Sequence, residues 1–204
     1  MDETSHNQQR RGRGRPRSET AESHTAILEA VYELLQERSV RDLTMEAVAR
    51  QAGVGKPTLY KWWPTKAALV MALLQERLAS APAPPAADTA EGAIRSSVRL
   101  LIGLFNGPFG RIMADLIAEG QSEPALLREL YERHISERRA ETVAEVERGK
   151  AAGEFAADTD PELLVDAIFG AIYYRLLLRS APLTGAFGEQ IVDQVLRGVR
   201  PGGI

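Results

Sequence analysis

Residues 44–66 read TMEAVARQAGVGKPTLYKWWPTK, and this stretch decides the fold. Thr44 is a good helix N-cap, because its hydroxyl can accept from a free amide of the first turn. Leu43 before it and Val48 after it stand at the two positions of a hydrophobic staple. Met45, Val48, Ala49 and Ala52 then recur at helical spacing, with small alanines that let another helix cross closely. Gly53 falls where a tight turn needs a left-handed backbone. Pro57 sits in the first turn of the next helix, where its missing N–H does little harm. Pro64 ends that helix and Thr65 can cap another. The order is helix, short turn, short helix.

The second helix has two faces. Leu59 and Trp63 are apolar and four apart, suited to a core. Lys56, Pro57, Tyr60 and Lys61 lie on the other side and present two cations, a phenol and a flat ring. A face of that kind fits a major groove, with side chains near the helix start reaching base edges. Singly, each is also an ordinary surface residue; the ordered string is what points to DNA.

That string resembles the DNA-binding domain of the TetR (tetracycline-repressor-like) family, through Leu43-Thr44, Val48-Ala49, Ala52-Gly53-Val54, Thr58-Leu59-Tyr60, Trp63 and Lys66 to Leu69. The resemblance implies an all-α homodimer that binds a double-stranded, palindromic DNA operator and releases it when a small-molecule effector enters a C-terminal domain. It implies no cofactor. By the family's pattern Thr44, Thr58, Tyr60 and Lys66 hold phosphates, while Lys56, Pro57, Tyr60 and Lys61 face bases. Trp62 stands beside the phosphate contacts, and Glu46 near the same edge repels phosphate.

Upstream, Ile27, Ala30, Val31, Leu34 and Leu35 form an amphipathic stripe that predicts a bracing helix from about Ser23 to Arg38. Residues 1–20 are polar and basic and predict a disordered arm. Within it Arg13 and Arg17 flank a Gly14-Arg15-Pro16 core that resembles an AT-hook for the A·T minor groove. A plain basic tail is the other reading of these arginines.

Downstream, Leu69, Val70, Leu73, Leu74 and Leu78 predict a connecting helix. Prolines across 81–87 mark a boundary between a DNA-binding unit at 21–80 and a helical ligand-binding and dimerisation domain at 88–200. There the pattern predicts helices over 90–106 and 109–120, and one long charged helix over 122–152 stopped by Gly153. A helix from Asp160 to Arg179, apolar nearly all round, demands cover on several sides. A last helix covers 185–199. No strand pattern stands out.

Where the family forms its four-helix dimer seam, this chain has Ile168, Ala171, Ile172, Ile191, Val192, Val195 and Leu196; closing a monomer core is the alternative use. Phe105, Phe109, Met113, Ile117, Phe169 and Tyr173 are the pocket candidates, with ordinary packing as their competing role.

The 204 residues are 44% hydrophobic and carry a net charge of −3. Residues 1–79 hold 12 Lys and Arg against 10 Asp and Glu, the remainder 13 against 18, so DNA affinity must come from a local cationic face. There is no Cys, no long apolar run and no signal-like start, which leads us to expect a cytoplasmic protein without membrane contact. His6, His24 and His134 lack metal-ligand spacing. Asp115 and Glu119, four apart, read as a solvated acidic face. No nucleophile elbow, phosphate loop or dinucleotide fingerprint points to an enzyme. A DNA-architectural or protein-docking dimer without effector, and a small helical enzyme, remain the competing readings.

Overall fold

The computed structural model describes residues 17–81, 85 and 87–201, with side chains from Glu22 onward. The described residues form α1 (Arg17–Glu37), α2 (Met45–Gln51), α3 (Lys56–Trp62), α4 (Lys66–Ala79), α5 (Ala90–Phe105), α6 (Pro108–Gly120), α7 (Pro124–Leu130), a π-helical turn (Tyr131–Ile135), α8 (Ser136–Ala151), α9 (Pro161–Leu178) and α10 (Gly185–Arg197). The protein is all-α: a helix-turn-helix unit precedes a larger helical domain.

Local chemistry sets the helix ends. The hydroxyl of Thr44 accepts from Ala47 N at 3.2 Å, and that of Thr65 from Ala68 N at 3.0 Å. Asp160 accepts from the amides of Glu162 and Leu163 at 2.9 and 3.2 Å. Gly53 and Gly153 adopt φ of +65° and +76°. Each closes a Schellman turn: Val54 N donates to Ala49 O at 3.0 Å, and Glu154 N to Gly149 O at 2.8 Å.

The first core gathers α1 to α4. Ile27, Val31, Leu35, Leu43, Val48, Leu59, Leu69, Leu73 and Leu74 are all buried within it. Outside that core, Arg77 of α4 stacks over the Tyr32 ring at 3.9 Å and donates to Glu29 of α1. The helix α1 starts at Arg17, earlier than its apolar stripe announces. A polar extension such as Ser18-Glu19-Thr20 carries no periodicity to read, and Glu19 and Glu22 favour a positive helix start. Arg13 and Arg15 lie outside the described residues, and of Arg17 only the backbone is described.

In the second domain α5 and α6 meet at 84°. Arg95 of α5 joins Glu91 and Glu189 at 2.6 Å each, and also Asp193, tying α5 to α10. The predicted long helix is interrupted by the π turn. Its inward row is Leu126, Leu130, His134, then Thr142 and Val146, spaced by fours. In a straight α-helix such a row drifts by about 40° per step, so roughly 200° over its length. One wide turn adds a residue, which offsets about 100° of that drift and keeps the row within reach of the core. Among the described residues, no single helix is long and apolar enough to cross a membrane.

The α5–α6 corner is tight. A Cβ at Gly110 would overlap the Phe105 carbonyl oxygen and lie 2.7 Å from its Cα, both rigid backbone. We expect Gly110→Ala to cost about 2 kcal/mol and lower the melting temperature by roughly 4–8 °C, read by calorimetry. An unchanged melting temperature would show that the corner yields freely.

Candidate DNA-binding face and cavity

Burying Leu59 and Trp63 fixes the roll of α3, and the opposite side of the helix is left to solvent. Lys56, Pro57, Tyr60 and Lys61 are exposed there, Tyr60 at 46%, and Thr58 is partly so. Thr44 is exposed at the start of α2 while its hydroxyl caps that helix. Lys56 is not idle: its ammonium pairs with Glu46 of α2 at 2.8 Å, both side chains more than half exposed. This pairing holds the Glu46 carboxyl below its usual range. Trp62 is 39% exposed and meets His24 of α1 edge-on, ring centroids 5.4 Å apart. His24 also lies 4.7 Å from the Trp63 ring, so an aromatic cluster pins the end of α3 to α1.

Lys66, the expected phosphate contact, is held within the protein. Its ammonium turns inward, donating to Val40 O at 2.8 Å and Arg41 O at 3.1 Å, and lies 3.6 Å from Glu119 of α6. The neighbouring acid, Asp115, accepts from Val40 N at 3.0 Å, and Arg111 donates to Leu35 O at the end of α1. Arg111, Asp115 and Glu119 are four apart and form one row on α6. The pair expected to be a solvated acidic face is therefore the joint between the two domains. Sequence held the clue in that strict i, i+4 row, but nothing in it named the loop as partner.

The other side of α6 looks into a partly open cavity of about 370 Å³ lined by α4, α5, α6, the π turn, α8 and α9. Phe105, Phe109, Met113, Phe169 and Tyr173 line it, with the Phe105 and Tyr173 rings edge-to-face at 5.2 Å. Ile117 does not; it packs on the core farther along α6. Sequence reasoning missed the polar part of the wall: Ser97 and Asp166 come from α5 and α9, and His134, Arg138, Arg139, Glu141 and Thr142 from the π turn and α8, whose direction the π turn sets. Burial pushes the Tyr173 hydroxyl up to about 12 and the His134 imidazole below its usual range, Arg133 adding to the latter.

The expected seam residues divide by burial. Ile168, Ile172, Val192 and Leu196 are buried in the chain's own core, while Ala171, Ile191 and Val195 are partly exposed. The uncovered apolar surface of α9 lies a third of a turn away. Leu163 (67% exposed), Tyr174 (57%) and Leu178 (63%) form it, with exposed Ala167 and Gly170 between them. Period alone could not locate this face, since α9 is apolar all round.

Known proteins share this arrangement. Residues 27–73 match the description bacterial regulatory proteins, tetR family, and residues 84–195 match the tetracyclin repressor-like C-terminal domain. The uncharacterized HTH-type transcriptional regulator YdeS of Bacillus subtilis (strain 168) is 32% identical, over 92% of this chain and 94% of its own. The TetR family transcription regulator SCO0332 has a crystal structure 33% identical to this chain at a TM-score of 0.71, covering 88% of this chain and 100% of that one. The flavonoid-responsive regulator FrrA is 25% identical at a TM-score of 0.62, over 89% and 99%. With both halves matched and the helix-turn-helix presenting its cationic face, the chain belongs to the TetR family of DNA-binding transcriptional regulators.

Proposed function

We propose that this regulator is a homodimeric, cytoplasmic repressor that grips a palindromic operator with two copies of α3 and releases it when a small molecule enters the cavity. One observation carries the reading: α6 lines the cavity with Phe109 and Met113 and, on its opposite side, holds the DNA-binding unit through Arg111, Asp115 and Glu119. A ligand that displaces the first side moves the second. Charge-assisted hydrogen bonds contribute about 1.5–3 kcal/mol each, and allosteric couplings amount to about 1–3 kcal/mol, so altering one or two of these bonds suffices. FrrA responds to flavonoids by its name, which supports a small-molecule response in a chain of this shape.

On the DNA, Thr44, Thr58 and Tyr60 take phosphates, and Lys56, Pro57, Tyr60 and Lys61 face bases. Trp62 contributes its free edge. Lys66 acts instead in the joint. Arg13, Arg15 and Arg17 extend the contact along the minor groove beside the operator. Two heads about 34–36 Å apart on one DNA face require a dimer. The exposed stripe of α9, Leu163 to Leu178, supplies its seam together with Ala171, Ile191 and Val195. Ala167 and Gly170 at its centre let the partner helix approach closely.

The first test is a fluorescence-anisotropy titration of the DNA upstream of the protein's own gene against a scrambled duplex. Specific binding is expected to be roughly a thousandfold tighter. Equal, weak, salt-sensitive binding to both would favour the architectural reading. Tyr60→Ala should weaken operator binding by about 1–3 kcal/mol with the fold intact, since the ring is half exposed. Glu46→Gln removes a competitor for Lys56 and a repulsion toward phosphate. It should tighten binding to every duplex alike and steepen the salt slope by up to about one. For the seam, Ala167→Glu places an uncompensated charge in an apolar contact. Sedimentation should show the dimer dissociation constant raised by roughly a hundredfold or more; an unaltered dimer would place the seam on another face.

A further inference from the structure

The cavity wall carries polar groups of two kinds, sealed and open. Both His134 ring nitrogens are buried away from the cavity, and the Thr142 hydroxyl already donates to Arg138 O at 3.0 Å. Three other groups are open. Arg138 is exposed and its guanidinium has no carboxylate partner among the described residues; it leans on Leu78 O, at the end of α4, at 3.5 Å, the outer limit of a hydrogen bond. Ser97 and Tyr173 are partly exposed in the same wall, and their hydroxyls have no partner among the described residues.

We propose, building on the effector reading above, that the cavity selects a compact amphipathic carboxylate, its apolar body among the aromatic side chains and its carboxylate on the Arg138 guanidinium. Three observations choose this class. First, all three open groups can donate a hydrogen bond, and a guanidinium can do nothing else. The ligand must therefore accept, and a charged acceptor makes the stronger bond. Second, polarity is graded. Arg138 is exposed, whereas Phe105, Phe109 and Met113 are buried and form the apolar part of the wall. The start of α5 lies at the end of α8, where a Cβ on Gly149 would meet Ala90, so the two helices run antiparallel. Arg138 then stands within about one turn of Ser97, whose hydroxyl can join it on one carboxylate. Third, the acids beside Arg138 leave it open. Asp166 is taken by Arg139 at 2.7 Å, and Glu141, three residues along α8, makes no ion pair with Arg138. Glu141 repels the ligand, but it is exposed and screened, so a direct charge-assisted bond to Arg138 outweighs it. A volume of about 370 Å³ is at the low end for ligand pockets and suits a body of one or two rings rather than a long chain. A carboxylate on Arg138 also competes with Leu78 O for the guanidinium, so the ligand bears on the end of α4 as well as on α6.

The class can be tested with two probes of one shape that differ in charge, 2-naphthoate and 2-naphthamide. Isothermal titration of the full chain at neutral pH should show 2-naphthoate binding roughly tenfold more tightly or better. Arg138→Gln should remove most of that preference and leave 2-naphthamide binding within about twofold. The variant should keep its fold, because the side chain is exposed and makes a single marginal contact. Glu141→Gln is the converse variant. It should tighten 2-naphthoate by a few-fold and leave 2-naphthamide unchanged, a gain that damage to the fold cannot imitate. Equal or tighter binding of 2-naphthamide overturns the carboxylate class, and so does binding of neither probe. If Arg138→Gln binds 2-naphthoate as tightly as the parent, the role of the guanidinium is overturned. Operator release is read separately, by anisotropy of a labelled duplex. If 2-naphthoate binds through Arg138 but leaves operator affinity unchanged, the ligand class stands and the effector reading fails. If 2-naphthamide binds more tightly and releases the operator, the effector reading stands and the ligand class fails.

Discussion

The row of polar groups on α6 is the constraint on which the rest of the arrangement depends. A connecting helix alone, α4, would leave the DNA-binding unit free to pivot about Ser80. Arg111 satisfies a carbonyl at the end of α1, where helix geometry leaves such groups without partners. Asp115 holds the amide of Val40 in the following loop, and Glu119 meets Lys66 at the start of α4. Three elements of the small unit are thereby referred to one helix of the large domain. The contributions differ. Glu119 and Lys66 are each about a quarter exposed at 3.6 Å, so that pair contributes below about 1 kcal/mol. The two hydrogen bonds to backbone are directional and partly buried, and they carry the orientation.

The same helix has to form a cavity wall, and this explains its sequence. Residues two apart on a helix point about 200° away from each other. Phe109 and Met113 therefore face the cavity while Arg111 and Asp115 face the loop. The tight corner at Gly110 sets the height at which both rows stand. Across the cavity the π turn does matching work: it rotates a row spaced by fours back toward the core and delivers His134 to the wall. A π turn is less favourable than an α turn, and here it lies in the cavity wall, where Tyr131, His134 and Ile135 line the space.

How much of this was legible in the sequence differs by residue. Thr44, Gly53, Leu59, Pro64 and Thr65 each have a local chemical reason for their place, so the helix-turn-helix could be read without knowing what packs on it. The apolar pocket residues could also be named, because aromatic residues at helical spacing near a Gly-Pro corner must be buried somewhere together. What escaped was decided by partners distant in sequence. Asp115 and Glu119 look like any solvated acid pair until the loop at Val40 lies beside them. Ile172 and Tyr174 are equally apolar in a helix such as α9, and only the placement of α10 and α5 determines that the first is core and the second surface. Lys66 was assigned to phosphate by its position in the family's pattern, yet two carbonyls and a carboxylate within reach give a cation a better-defined place than solvent.

An acidic protein that binds DNA raises a last question of balance. The chain is net negative, and its cationic face is small, with Lys56 paired to Glu46. An exposed ion pair contributes almost nothing to stability, so phosphate can replace Glu46 at little cost. The carboxylate nevertheless remains beside the site and repels phosphate wherever Lys56 does not offset it. Non-specific attraction is therefore weakened everywhere on the genome, while a base contact from Tyr60 or Pro57 is untouched by it. Specificity is a ratio of the two affinities. A modest field and Glu46 lower both affinities by about the same factor and leave the ratio to the base contacts, so the low net charge of this chain reduces non-specific occupancy without eroding discrimination.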